Sequence, residues 1–186
     1  ASVQLNADAV LGCFWIVCWE AVGSAARAHR GGDQLAPLGA IRRLAVATDG
    51  PLVHLLDAES GKASGPPMRH RGAAQALRFS PDGTILATGA ADGAARLWRV
   101  QTHRQVGFTM PHGRESVTRL AFSRDGKLLL TGAVASGAGT LRLWEMRDQE
   151  LVARVAAGRD RLALAEFSGE REVVAVFDAA IARWRV

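Results

Sequence analysis

The stretch FSPDGTILATGAADGAARLWRV spans residues 79–100, and FSRDGKLLLTGAVASGAGTLRLWEM, starting 43 positions later, spans residues 122–146. Both carry Phe-Ser-x-Asp-Gly, then Thr-Gly, then Arg-Leu-Trp, in the same order. Worked outward from Trp98 and Trp144, the same phase reaches Trp184 on one side and Leu56 and Trp19 on the other. Phe167-Ser168 repeats Phe79-Ser80 and Phe122-Ser123, and Asp49-Gly50 repeats Asp92-Gly93. His29, His70 and His112 each precede a strand-like run. A repeat of this length decides the architecture before any single motif does.

Each unit reads as short strands joined by turns. In the central unit AAQALRF leads into SPDG, a turn with Pro at its second position and Gly at its fourth. TILATGA follows, then Asp-Gly, then AARLWRV, and Asp-Gly between two apolar runs signals a hairpin. A polar turn, QTH, then leads to RQVGFTM, giving four strands in the unit. Turn residues at such short intervals disfavour helix.

The pattern His…Phe-Ser-x-Asp-Gly…Thr-Gly…Asp-Gly…Arg-Leu-Trp resembles the WD-repeat family of β-propellers, and most of residues 29–186 share in it. It is most similar to the tandem repeats of bacterial proteins in which the fold is attached to a signalling domain. The resemblance implies an all-β chain, a propeller of four-stranded antiparallel blades with about four to five blade units in an incomplete or open ring. The units divide as a degenerate partial blade over 1–28, a degenerate repeat over 29–69, repeats over 70–111 and 112–157, and a degenerate final repeat over 158–186. It also implies a buried hydrogen-bond network in each blade, made by a His, a Ser/Thr, an Asp and a Trp. His70, Thr88, Asp92 and Trp98 complete that set. The next unit keeps His112, Thr131 and Trp144 but has Ala138, within a three-residue insertion, at the acid's position. The unit before keeps His29 and Asp49, and the last keeps Asp178 and Trp184.

Composition narrows the function. Hydrophobic residues make up 48% of 186, enough for a core and too many for a disordered chain. Lys and Arg number 23 against 18 Asp and Glu, and Lys62 and Lys127 are the only lysines. The Ala-, Gly- and Arg-rich, Tyr-free make-up points to a GC-rich bacterial source. The charge forms no run and lacks interleaved aromatics, which weighs against nucleic acid. Cys13 and Cys18 would face opposite sides of a strand, so no disulfide framework is expected and a cytoplasmic location fits. The longest apolar run, Ala9 to Trp19, is shorter than the roughly 20 residues a membrane span needs. The chain opens on Ala rather than Met and reads as a piece of a longer protein.

Chemistry finds little foothold. A nucleophilic Ser needs exposure and a base within reach, whereas the repeat puts its hydroxyls inside a blade. The five His are spread at repeat spacing, without the convergence a metal needs. The glycines at 132, 137 and 139 lead into no helix, and ESGKAS lacks a phosphate loop's upstream glycine. Glu166 is the only acid among the inner-strand runs AAQALRF, VTRLAF and LALAEF, which argues against a propeller-type hydrolase or lactonase. The expectation is a non-catalytic protein-interaction scaffold, with no catalytic residue, cofactor or metal. Its candidate binding surface is a rim of arginines: Arg30 after His29, Arg71 after His70, Arg114 two after His112, and Arg159 and Arg161 in the last unit. The family resemblance puts these in the loops between blades, where guanidinium groups would take an acidic or phosphorylated peptide bidentately.

Overall fold

The computed structural model describes residues 16–21, 41–135, 138–156, 162–168, 172–177 and 181–186. These residues contain strands and no helix. The first sheet holds β1 (Ile16–Ala21), β2 (Ile41–Ala47), β3 (Leu52–Asp57) and β4 (Met68–Arg69). The second holds β5 (Ala74–Phe79), β6 (Ile85–Ala90), β7 (Ala94–Arg99) and β8 (Gln105–Pro111). The third holds β9 (Ser116–Phe122), β10 (Leu128–Ala135), β11 (Ala138–Glu145) and β12 (Leu151–Ala156). The fourth holds β13 (Leu162–Phe167), β14 (Glu172–Phe177) and β15 (Ile181–Arg185). Within every sheet the strands follow chain order and pair antiparallel.

The two-residue side-chain period explains how the sheets stack. In the second sheet Leu86 and Trp98 face the first sheet, while their neighbours Ala87 and Leu97 face the third. The third sheet repeats this: Leu129 and Trp144 pack back on the second, and Leu130 and Leu143 pack forward on the fourth. Middle strands are therefore buried on both faces, and three apolar layers lie between four sheets. The Thr-Gly of the repeat fits the same stacking. A Cβ on Gly89 would lie 2.6 Å from the carbonyl oxygen of Val117, so only glycine lets β9 approach.

Successive sheets touch mainly through their inner strands, β1 on β5, β5 on β9 and β9 on β13. No contact of comparable extent joins the first sheet to the fourth among the described residues. The described residues form an open propeller-like arc. One strand departs from the spacing-based reading. Trp19, taken there as a third-strand marker of a preceding unit, lies in β1, which pairs with β2 with Trp19 opposite Leu44. β1 thus belongs to the same sheet as residues 41–69, across the boundary drawn at 28. In sequence, residues 22–40 lie between these two strands, a longer separation than the repeat spacing allows for.

Candidate interaction site

Asp92 sits in the three-residue turn between β6 and β7, and His70 in the segment that leads from β4 to β5. The strand ends bring both to one end of the second sheet, with Thr88 and Trp98 inside it. Trp98 Nε1 donates to Thr88 Oγ1 at 2.8 Å, and that hydroxyl donates to the Arg96 carbonyl at 3.3 Å. The indole and the His70 ring meet edge to face, centroids 5.4 Å apart. His70 bonds neither Thr88 nor Asp92. Arg96 stands between, donating to His70 Nδ1 at 3.0 Å and gripping Asp92 with both terminal nitrogens at 3.2 and 2.7 Å. A guanidinium only donates, so Nδ1 accepts and the ring proton sits on Nε2.

The electrostatics follow from this arrangement. Burial and the Arg96 cation push His70 down to about 4, with Asp92 pulling the other way. Burial opposes ionisation of Asp92, but hydrogen bonds from Arg96 and from the Arg71 amide outweigh it and hold the carboxyl below its usual range. Arg96 itself is buried, which its bidentate acid makes tolerable.

The third sheet solves the same problem differently. His112 Nε2 meets Thr131 Oγ1 directly at 2.7 Å, and Trp144 Nε1 donates to the same oxygen at 2.8 Å. The hydroxyl donates to the Arg142 carbonyl, so His112 carries its proton on Nε2. Its buried Nδ1 has no hydrogen-bond partner among the described residues. Arg142 donates to the Pro111 carbonyl instead of reaching the ring. Position 138 enters β11 opposite Ala135, so the hairpin is longer than its neighbour and carries no acid there. Burial, Arg142 and Arg154 together push His112 down to about 3.

The rim residues fall into two groups. Arg71 and Arg114 are exposed, in the segments that enter β5 and β9. The Arg71 amide donates to Asp92, which ties that loop to the hairpin beside it. Arg30, Arg159 and Arg161 lie outside the described residues, as do His29 and Asp178. Glu166 is held by Arg78 at 2.5 Å. Arg78 also donates to the Leu120 carbonyl, so one side chain links the inner strands of three successive sheets. Among the described residues no group of three or more His, Cys, Asp or Glu could hold a metal, and no helix is long and apolar enough to cross a membrane.

The sequence reading missed two features. Arg96 and Arg142 recur two residues before each Trp, a signal present in Arg-Leu-Trp itself. The other is a latch between sheets. His103 and Gln149 are the two non-glycine residues with left-handed backbone among the described residues, φ 57° and 61°. His103 lies over Gly65 and bonds the Pro66 carbonyl at 3.0 Å. Gln149 accepts from the Phe108 amide at 2.6 Å and donates to the Val106 carbonyl at 3.2 Å, filling the place a Cβ on Gly107 would take.

Comparison with known proteins is consistent with this geometry. Residues 77–176 match the family described as the anaphase-promoting complex subunit 4 WD40 domain. The crystal structure of the computationally designed Ika4 protein superposes with a TM-score of 0.68 at 18% identity, covering 78% of this chain and 86% of that one. No curated protein matches.

Proposed function

The chain belongs to the WD40 repeat family, and from that premise we propose that it is a non-catalytic scaffold whose loop rim binds an acidic or phosphorylated segment of a partner protein, within a bacterial signalling protein of the cytoplasm. The observation that carries this reading is the recurrence of an exposed arginine in the segments entering successive inner strands, Arg71 before β5 and Arg114 before β9. By repeat register Arg30, Arg159 and Arg161 extend the series. Guanidinium groups in a row favour carboxylate and phosphate, and steer such a partner over a salt-dependent range. The side chains described here support binding rather than turnover: the hydroxyls of Thr88 and Thr131 are buried and committed to structural bonds, and Glu166 is paired with Arg78.

The test uses fluorescently labelled glutamate-rich and phosphoserine peptides and the triple variant Arg71→Ala, Arg114→Ala, Arg161→Ala. Binding should weaken, and its dependence on salt should flatten. Unchanged affinity together with unchanged salt dependence would remove the rim from consideration.

A further inference from the structure

The second and third sheets differ in the charges set around one arginine. In the second, Arg96 is neutralised by Asp92 of its own hairpin. In the third, Arg142 has the equivalent strand position, but no carboxylate stands four residues before it. Directly across the ladder from Arg142 is another arginine, Arg154, on β12. Like charges facing each other across an antiparallel pair repel. Arg154 is exposed and makes no hydrogen bond or ion pair among the described residues. Both cations act on His112, whose buried Nδ1 is without a partner. His70 differs in which nitrogen is left over: its Nδ1 is held by Arg96, which Asp92 in turn holds, and its buried Nε2 is the atom without a partner among the described residues. The acid that contributes a favourable field, Glu115, accepts a hydrogen bond from Thr140 Oγ1 at 2.7 Å. Arg142 itself donates to the Pro111 carbonyl at the mouth of the segment that carries His112 and Arg114.

We infer that Arg142 and Arg154 form an anion site that takes a carboxylate side chain from a partner protein, which supplies in trans the acid that Asp92 supplies in cis one sheet earlier. The inference rests on the scaffold reading and gives it a defined anchor, separate from the rim arginines. A carboxylate is the occupant because the repeat fills the equivalent position with one. Binding there relieves the repulsion between the two arginines and gives both guanidinium groups a shared acceptor.

The experiment titrates the protein with a tetraglutamate peptide, and separately with inorganic phosphate, at constant ionic strength. Arginine side-chain N–H signals are followed by NMR. The signals of Arg142 and Arg154 should move together and saturate with tetraglutamate. Arg154→Gln should weaken that binding about tenfold, with the indole signal of Trp144 unmoved as the check on folding. The response of Arg71 and Arg114 in this variant should match that of the original protein. If tetraglutamate moves only Arg71 and Arg114, the rim reading stands and this site is refuted. Movement of Arg142 and Arg154 alone keeps the site and removes the rim. Saturation by inorganic phosphate without any response to tetraglutamate overturns the carboxylate assignment. Silence from all four arginines removes both.

Discussion

The units at residues 70–111 and 112–156 share a His, a buried Thr and a Trp, and they connect them in opposite ways. The sheet with the full polar set interposes Arg96 between His70 and Asp92, and its Thr88 serves only the indole and a carbonyl. The sheet that lacks the acid lets His112 reach Thr131 directly. The difference traces to where the arginine goes. With Asp92 in the hairpin, Arg96 folds inward onto it and takes the imidazole as a second acceptor. Without an acid, Arg142 turns to a backbone carbonyl and leaves the histidine free to bond the hydroxyl. An acid in a buried network therefore does more than add one bond, because it recruits a cation and that cation reorders the rest.

Substitutions can break this comparison. The largest effect should come from the feature that both sheets share. Trp98→Ala and Trp144→Ala should each destabilise by about 3–5 kcal/mol, the cost of deleting a large buried aromatic, read from the denaturant midpoint. A midpoint unchanged in either would remove that indole from the core.

The charges should separate the sheets. Asp92→Ala strands a buried cation and should cost about 3 kcal/mol, whereas Arg142→Met, which relieves repulsion with Arg154, should cost about 1 kcal/mol or less. Equal losses would mean the two arginines have the same surroundings.

Acid should then act on both sheets. Each histidine has a folded value below its ordinary 6.5, so the unfolded chain binds more protons and stability falls as pH drops from 6.5 towards about 4 for His70 and about 3 for His112. By pH 5 the loss should be on the order of 2 kcal/mol per histidine. His70→Gln and His112→Gln should each flatten part of that slope, and a slope untouched by either would show that the rings titrate as in the unfolded chain.

The smallest effect should come from the latch. Gly107→Ala forces a side chain onto φ 62° and against Gln149, and should cost about 1–2 kcal/mol. Thermal unfolding would detect it, and no change would mean the latch opens at little cost.

Sequence made the repeat readable because propeller-type strands are short, alternate by two and end at Asp-Gly or Ser-x-Asp-Gly, all local properties. The set His70, Thr88, Asp92 and Trp98 came from the family resemblance that the repeat carries. Their wiring did not. Arg96 reads as an ordinary exposed strand residue until the turn carrying Asp92 folds back over it. His103 and Gln149 were invisible for a related reason: each side chain packs over a glycine, Gly65 or Gly107, more than thirty residues away in the preceding sheet. The Arg78 link to Glu166 likewise exists only once three inner strands curve together.

The latch also bears on how such a chain can be edited. Repeated units invite the view that they are interchangeable cassettes, to be dropped, doubled or reordered by recombination. Gln149 fits a slot cut by Val106, Gly107 and Phe108, and His103 fits a different slot, cut by Ser64, Gly65 and Pro66. Each turn is a key to the sheet before it. Excising residues 70–111 would bring the amide of Gln149 to a slot shaped for an imidazole. The order of these units is thus written into their seams, and a graft that respects the repeat length must also carry its lock with its key.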